Sequence, residues 1–244
     1  MNLYFLVEGL SESEFYPKFV EYYLGDLLSK VNFPTDAISN NYYLIGNGGY
    51  PFIYTGPKYP VDSAAALKNA ILDVNNNPVF NYLIICLDAD EMTIDERINE
   101  FNTYIQKYTN EGVTLNNHCE YTLIVQNKCI ETWFLGNRKM YKKNPSSEPL
   151  ISYSRYYNVS IDDPELMGNF SNEFSPQDFH HQYLREMIRE RTRKSYKKET
   201  PMKVIDVFYL DQLHKRISNK NAHLASLINL VDLLVFVNNR IKNT

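Results

Sequence analysis

The stretch Tyr82-Leu-Ile-Ile-Cys-Leu-Asp88, continued by Ala89-Asp90-Glu91, constrains this chain more than any other. A continuous apolar run this short and this rich in Ile and Leu predicts a strand buried on both faces of a parallel sheet. It stops abruptly in acids. In open α/β sheets, ligands collect beyond the carboxyl ends of the strands. Asp88 and Asp90 are two apart, so they share a face if the strand runs on and converge if it turns. Two carboxylates so close repel unless a cation neutralises them, and hard divalent ions such as Mg2+ take oxygen ligands. The alternative is an acidic turn in which Thr93 or Asp95 caps the next helix.

Around that strand, β and α signals alternate. Asn2 to Val7 predicts a strand ending at Glu8-Gly9, and Ser11 with Glu14 predicts a capping box opening a helix to about Leu28. Phe15, Phe19, Tyr22, Tyr23 and Leu27 recur at helical spacing on its sheet-facing side. Tyr42 to Ile45 predicts a second strand before Gly46-Asn-Gly48-Gly49, where glycines permit positive φ and close approach to a ligand, or simply a loop. After the Pro- and Tyr-rich connection 51–60, Ser63 to Asp73 predicts a helix, as does Ile94 to Tyr108 with Ile98, Phe101 and Ile105 on one face. Tyr121 to Val125 predicts the next strand, and Glu131 lies at the helix start that follows. This alternation from residue 2 to about 137 predicts a parallel sheet covered by helices.

The composition changes after Lys142. Residues 142–177 carry Pro145, Pro149, Pro164 and Pro176 and predict loop and short turns. Helices are predicted over Phe179 to Arg193, Met202 to Arg216 and Ala222 to Lys242. The expected division is therefore 1–142 and 143–244. Basic residues cluster in the second part at Arg185, Arg189, Arg191, Arg193, Lys194, Lys197 and Lys198, in a chain of net charge -4. That asymmetry suits phosphate backbones; Glu186, Glu190 and Glu199 could instead balance it as a solvated helix face.

The 244 residues, 44% of them hydrophobic, suffice for a sizeable core, and no apolar run reaches the roughly 18 to 20 residues of a membrane span. The start lacks a basic region and soon turns acidic, so no secretory signal is expected. Cys86, Cys119 and Cys129, odd in number and near apolar runs, are expected to be reduced and buried in a cytoplasmic protein. His118 and the cysteines lack paired finger spacing, so no structural zinc is expected. His180, His181, His214 and His223 are expected to cap helices or lie at the surface, and Trp133 to belong to the core.

Val7-Glu8-Gly9-Leu-Ser-Glu12, followed by Leu87-Asp88-Ala-Asp90, resembles the TOPRIM domain of topoisomerases, primases and the nucleases of the OLD (overcoming lysogenization defect) family. The resemblance covers residues 2 to 137 and implies a Rossmann-like parallel sheet flanked by helices, with a helical C-terminal region beyond it. It implies that Glu8, Asp88 and Asp90 bind Mg2+ or Mn2+, that Glu12 stands where related proteins carry an additional acid, and that Glu131 supports a second ion. A catalytic-side Lys is implied as well, with Lys128, Lys197 and Lys198 as candidates. The spacing from Glu8 to Asp88 exceeds that of the smallest TOPRIM domains, with loop 51–60 as a natural insertion.

The expectation is a cytoplasmic, metal-dependent nuclease using Glu8, Asp88, Asp90, Glu131 and Lys128 on DNA or RNA, tRNA included. Two ions held by carboxylates would serve both the attacking and leaving oxygens of a phosphodiester. Arg189, Arg193, Lys194, Lys197 and Lys198 are expected to contact nucleic acid. By family analogy the chain would be the toxic effector of an anti-phage defence system, restrained by a separate AAA/ABC-type ATPase chain, and could form a homodimer. Two alternatives remain: a GT-A-like nucleotide-sugar transferase using Asp88 and Asp90, and a non-catalytic binding subunit. A haloacid-dehalogenase-type phosphatase is disfavoured by Met92, where Thr or Val would be wanted.

Overall fold

A computed structural model describes residues 1–46, 49–56, 65–218 and 223–243. Its centre is a five-stranded parallel sheet in the order β2-β3-β1-β4-β5, with β1 at Leu3–Val7, β2 at Ser29–Val31, β3 at Asn41–Gly46, β4 at Tyr82–Asp88 and β5 at Glu120–Gln126. All five residues of β1 are buried, as an apolar run covered on both faces must be. Register pairs Leu3 with Tyr42 and Val7 with Gly46 on one side, and Leu3 with Tyr82 and Val7 with Cys86 on the other. The expected α/β architecture is therefore present.

Helix α1 (Leu10–Leu24) covers one face, where Phe5 meets Tyr16 at 6.2 Å between ring centroids. It begins two residues earlier than the start at about Glu12 that the capping-box pattern predicts. Gly9 is the N-cap, Ser11 is buried inside the first turn, and the Ser13 hydroxyl donates to the Gly9 carbonyl at 2.8 Å. The helix stops at Leu24, so Leu27 belongs to a 3-10 turn (Gly25–Leu27) that buries nothing. On the other face, Tyr4 and Leu6 join Leu67, Ile71, Leu83, Ile85 and Phe101 in one apolar cluster. Its helices are α3 (Ala66–Asn76) and α4 (Ile94–Asn110), reached through the short α2 (Phe52–Thr55). Asn47, Gly48 and residues 57–60 of the Pro-rich connection lie outside the described residues, as do 63 and 64 at the start of the expected helix.

Three departures from the sequence pattern have local causes. Strand β2 has no alternation of its own and is largely exposed; its three residues are strand because they pair with Asn41 to Tyr43 of β3. The stretch expected to be loop contains α6 (Glu148–Tyr156), and its prolines start helical turns instead of preventing them. Pro149 sits in the first turn of α6, Pro164 opens a 3-10 turn, and Pro176 opens α7 (Pro176–Thr192) behind the Ser175 cap. The N–H of a residue in the first helical turn has no acceptor within the helix, so proline loses no bond there, and its ring presets φ. The helix expected over Met202 to Arg216 is split: Pro201–Lys203 is a 3-10 turn, and α8 (Val207–Ile217) starts where the Asp206 carboxylate accepts from Tyr209 N–H. The last helix, α9, spans Ala225–Lys242.

The chain forms two compact units, each assembled from separated stretches. One comprises 1–87, 94–125 and 231–244; the other comprises 88–93 and 126–230. The second has a core of its own around Trp133 on α5 (Ile130–Phe134), whose indole N–H donates to Ser226 Oγ at 2.7 Å. Arg216 is 1% exposed there and donates to the carbonyls of Gly136, Val159 and Asp162, a strut of backbone acceptors around a buried guanidinium. His180 is buried too, contrary to its expected capping or surface place, because Thr132 and the Met167 carbonyl satisfy both ring nitrogens. Cys86, Cys119 and Cys129 are free thiols and buried. Among the described residues, no helix is long and apolar enough to cross a membrane.

Candidate functional site

The winding of the sheet singles out one location. From β1 the chain passes to β2 and β3 on one side; from β4 it passes to β5 on the other. The strand order therefore reverses between β1 and β4, the kind of switch point beyond which open α/β sheets bind ligands. Glu8 directly follows β1, and Asp88 is the last residue of β4.

In the first unit, Glu8 is 8% exposed and Glu12 is 4% exposed. Glu8 Oε1 accepts from Tyr50 N–H at 2.9 Å, and its carbonyl accepts from Gly49 N–H at 2.9 Å, which ties the Gly-rich turn back onto β1. The Glu12 carboxylate folds over Gly9: a Cβ on Gly9 would stand 2.8 Å from Oε2, so no other residue fits there without displacing the acid. Gly46 is equally constrained, since a Cβ there would stand 2.0 Å from Ser13 Oγ; close packing against α1 is its role. Two residues not anticipated from sequence complete this acid set. Arg97 on α4, 2% exposed, donates to Glu100 at 2.7 Å and stacks 4.4 Å above the Tyr50 ring, while the Tyr50 hydroxyl donates to Glu100 at 3.0 Å. Burial alone would lower the Arg97 pKa, but the Glu100 bond and charge, with Glu8 and Tyr54, raise it above its ordinary value. Arg97 thus remains a cation beside Glu8.

In the second unit, Asp88 and Asp90 are half-buried. Ala89 N–H donates to the Gln126 carbonyl and Asp90 N–H to the Lys128 carbonyl, both at 2.9 Å, tying the turn after β4 to the turn after β5. Asp90 and Lys128 have φ of 53° and 71°, a left-handed conformation uncommon outside glycine and concentrated at functional turns. Glu131, 1% exposed in the first turn of α5, accepts from the Tyr196 hydroxyl at 2.9 Å and lies 3.9 Å from Lys198 Nζ. The thiol of Cys129 is pushed well up, first by burial and then by the charges of Glu131 and Asp88. Burial holds His181 below its ordinary pKa against the pull of Glu131, with Lys198 reinforcing the decrease. Of the three candidate lysines, Lys198 pairs with a candidate acid, Glu131.

The basic segment divides. Arg189 pairs with Glu186 on its own helix, and Glu190 is taken by Lys142 at 2.6 Å and by Ser146. Arg193 ends α7 in a left-handed conformation. Beyond it Lys194, Lys197 and Lys198 are exposed, with Tyr196 buried among them as the anchor that reaches Glu131. Neither Tyr196 nor Arg97 carries a sequence motif. Only the isolated aromatic within a basic run, and an arginine on the inner side of a helix, could have drawn notice.

All five candidate metal ligands are carboxylates, the donor chemistry a hard divalent cation takes. Among the described residues, however, no three His, Cys, Asp or Glu side chains gather into a metal-holding group. The donor type fits Mg2+ or Mn2+. The chain matches no family model, no curated protein and no solved structure.

Proposed function

We propose that the chain is a TOPRIM-like, Mg2+- or Mn2+-dependent nuclease that hydrolyses phosphodiester bonds of DNA or RNA, tRNA among the candidates. The observation that carries it is the switch point: neighbouring parallel strands β1 and β4 run out into Glu8 and Asp88. The family resemblance assigns metal binding to Glu8, Glu12, Asp88, Asp90 and Glu131, and a bound ion would supply Lewis-acid polarisation of the phosphate. The protein's own groups do the rest. Tyr196 fixes the orientation of Glu131, Lys198 offers a positive charge to phosphoryl oxygens, and Lys194 and Lys197 extend that charge along the backbone of the substrate. Arg97 keeps the buried Glu8 next to a cation. In keeping with the family resemblance, the chain would act in the cytoplasm as an anti-phage effector restrained by a partner ATPase, as a monomer or homodimer.

The test is cleavage of single-stranded and duplex DNA and of total tRNA by purified protein, with Mg2+, with Mn2+ and with chelator. Cleavage should require the metal and fall by at least about 100-fold in Glu8→Gln and in Asp88→Asn. Metal-dependent nucleic-acid binding without cleavage, unchanged in both variants, would favour a non-catalytic binding subunit. Turnover of a nucleotide sugar would favour the transferase.

A further inference from the structure

A second feature of the first unit involves none of the candidate acids. Between α3 and α4, over β4, lies a cavity of about 430 Å3. Leu67 and Ile71 of α3, Leu83 and Ile85 of β4, and Ile105 of α4 make its floor entirely aliphatic. Thr109 at the end of α4 and Thr114, Asn116 and Asn117 of the connection to β5 give it a rim of hydroxyls and amides. That connection is strapped to α3: Asn75 Nδ2 donates to the Thr114 carbonyl and Asn75 Oδ1 accepts from Asn116 N–H, both at 2.8 Å. Among the described residues of the lining Glu120 is the sole carboxylate, and Cys119 contributes a thiol that burial pushes up to about 12, hence uncharged at neutral pH.

Interiors pack nearly as densely as organic crystals, with few voids larger than a water molecule. A dry apolar cavity of only about 150 Å3 already takes up a benzene. Apolar walls with a few polar groups at the mouth, in a volume within roughly 300 to 1,000 Å3, are the usual form of a small-molecule site. The charge of the lining disfavours a phosphate or carboxylate headgroup, because Glu120 would face it and no cation lines the cavity among the described residues.

We propose that this cavity binds an uncharged small molecule with a compact hydrocarbon or aromatic body and a hydrogen-bonding group at one end. The body would replace the missing contacts among Ile71, Leu83 and Ile105, and the polar end would meet the Thr and Asn rim. Such a ligand shares no chemistry with a phosphodiester, so this site stands or falls separately from the nuclease proposal.

The probe is N-phenyl-1-naphthylamine, an uncharged two-part aromatic amine whose emission rises in apolar surroundings, titrated into the full-length chain. Saturable binding at one site per chain is expected, with a melting temperature that rises with probe concentration. Thr109→Trp, which fills the mouth from an exposed helix position, should weaken binding by at least about tenfold. Asn117→Trp closes the mouth from the other side and should act likewise, so the test survives misfolding of either variant. The anionic analogue 1-anilinonaphthalene-8-sulfonate should bind at least about tenfold more weakly, and Glu120→Gln should narrow that gap. Absence of saturable binding, equal affinity for the anionic analogue, or full affinity in folded Thr109→Trp and Asn117→Trp would each overturn the proposal.

Discussion

The imidazole of His180 allows a prediction with a worked magnitude. Its Nε2 faces the Met167 carbonyl at 3.1 Å, which only a donor can satisfy, and its Nδ1 lies 2.7 Å from Thr132 Oγ1. The tautomer consistent with both is neutral, with the hydrogen on Nε2 and Nδ1 accepting from the Thr132 hydroxyl. Burial, the largest influence, draws the pKa from 6.5 down to about 4; the Met167 bond opposes this and the Lys128 charge adds to it. With the folded value below the unfolded one, the unfolded chain takes up the proton first as pH falls. The associated stability is complete above about pH 6.5 and is lost progressively as pH drops toward 4. At about 1.4 kcal/mol per pH unit, that interval amounts to about 3 kcal/mol. Trp133, the single tryptophan and fully buried, stands next to Thr132, so its fluorescence reports unfolding of this unit. Urea unfolding at about pH 7, 6, 5 and 4 should show the wild type losing about 3 kcal/mol more than His180→Gln, which keeps a donor and an acceptor but cannot titrate in this range. Parallel pH dependences in the two proteins would refute the assignment of a neutral, buried imidazole.

Two further substitutions test how the first unit is held. Gly46→Ala should cost about 1 to 3 kcal/mol in thermal unfolding, because its methyl would meet Ser13 Oγ, and Ser13→Ala in the same chain should recover most of that loss; additive effects would contradict the contact. Arg97→Ala should cost about 3 kcal/mol by leaving Glu100 and Glu8 without their cation, with Arg97→Lys intermediate because it keeps the charge but loses the flat stack on Tyr50; full stability of Arg97→Ala would dismiss the pairing.

What could be read in advance divides by the range of the interaction. The bounds of β4 follow from Tyr82 to Asp88 alone, since a strand buried on both faces has to be apolar throughout. The helix α4 was equally visible, though its inner face carries Arg97, which no apolar period announces. Strand β2 could not be read because its partner, not its own residues, makes it a strand. The helix α6 was obscured by counting Pro149 as a breaker when it occupies a helix's first turn. For the candidate site, the acids were marked by the strands they terminate. Their companions were not: Tyr50 lies 42 positions from Glu8, and Tyr196 lies 65 from Glu131. Such pairings exist only once the chain is folded, and a single sequence offers no period or spacing that encodes them.

The company these acids keep bears on why they are there. Glu8 and Glu131 are both nearly removed from solvent, and each sits with a tyrosine and a cation: Tyr50 and Arg97 in one unit, Tyr196 and Lys198 in the other. Folding does not call for this. A buried charge costs several kcal/mol before its partners offset it, and apolar residues of like volume often serve stability as well or better. Where local rules favour a hydrophobe and the chain instead carries a partnered carboxylate at a helix start or strand end, function is the more economical reason. The same logic separates the acids from Arg216, whose buried guanidinium donates to three backbone carbonyls and meets His223 Nδ1 at 2.8 Å, partners that bind chain to chain within its own unit. Glu131 has no such backbone debt to settle. Its Tyr196 and Lys198 partners come from the segment that carries the exposed lysines, so whatever those lysines bind is brought to the acid by the same stretch of chain.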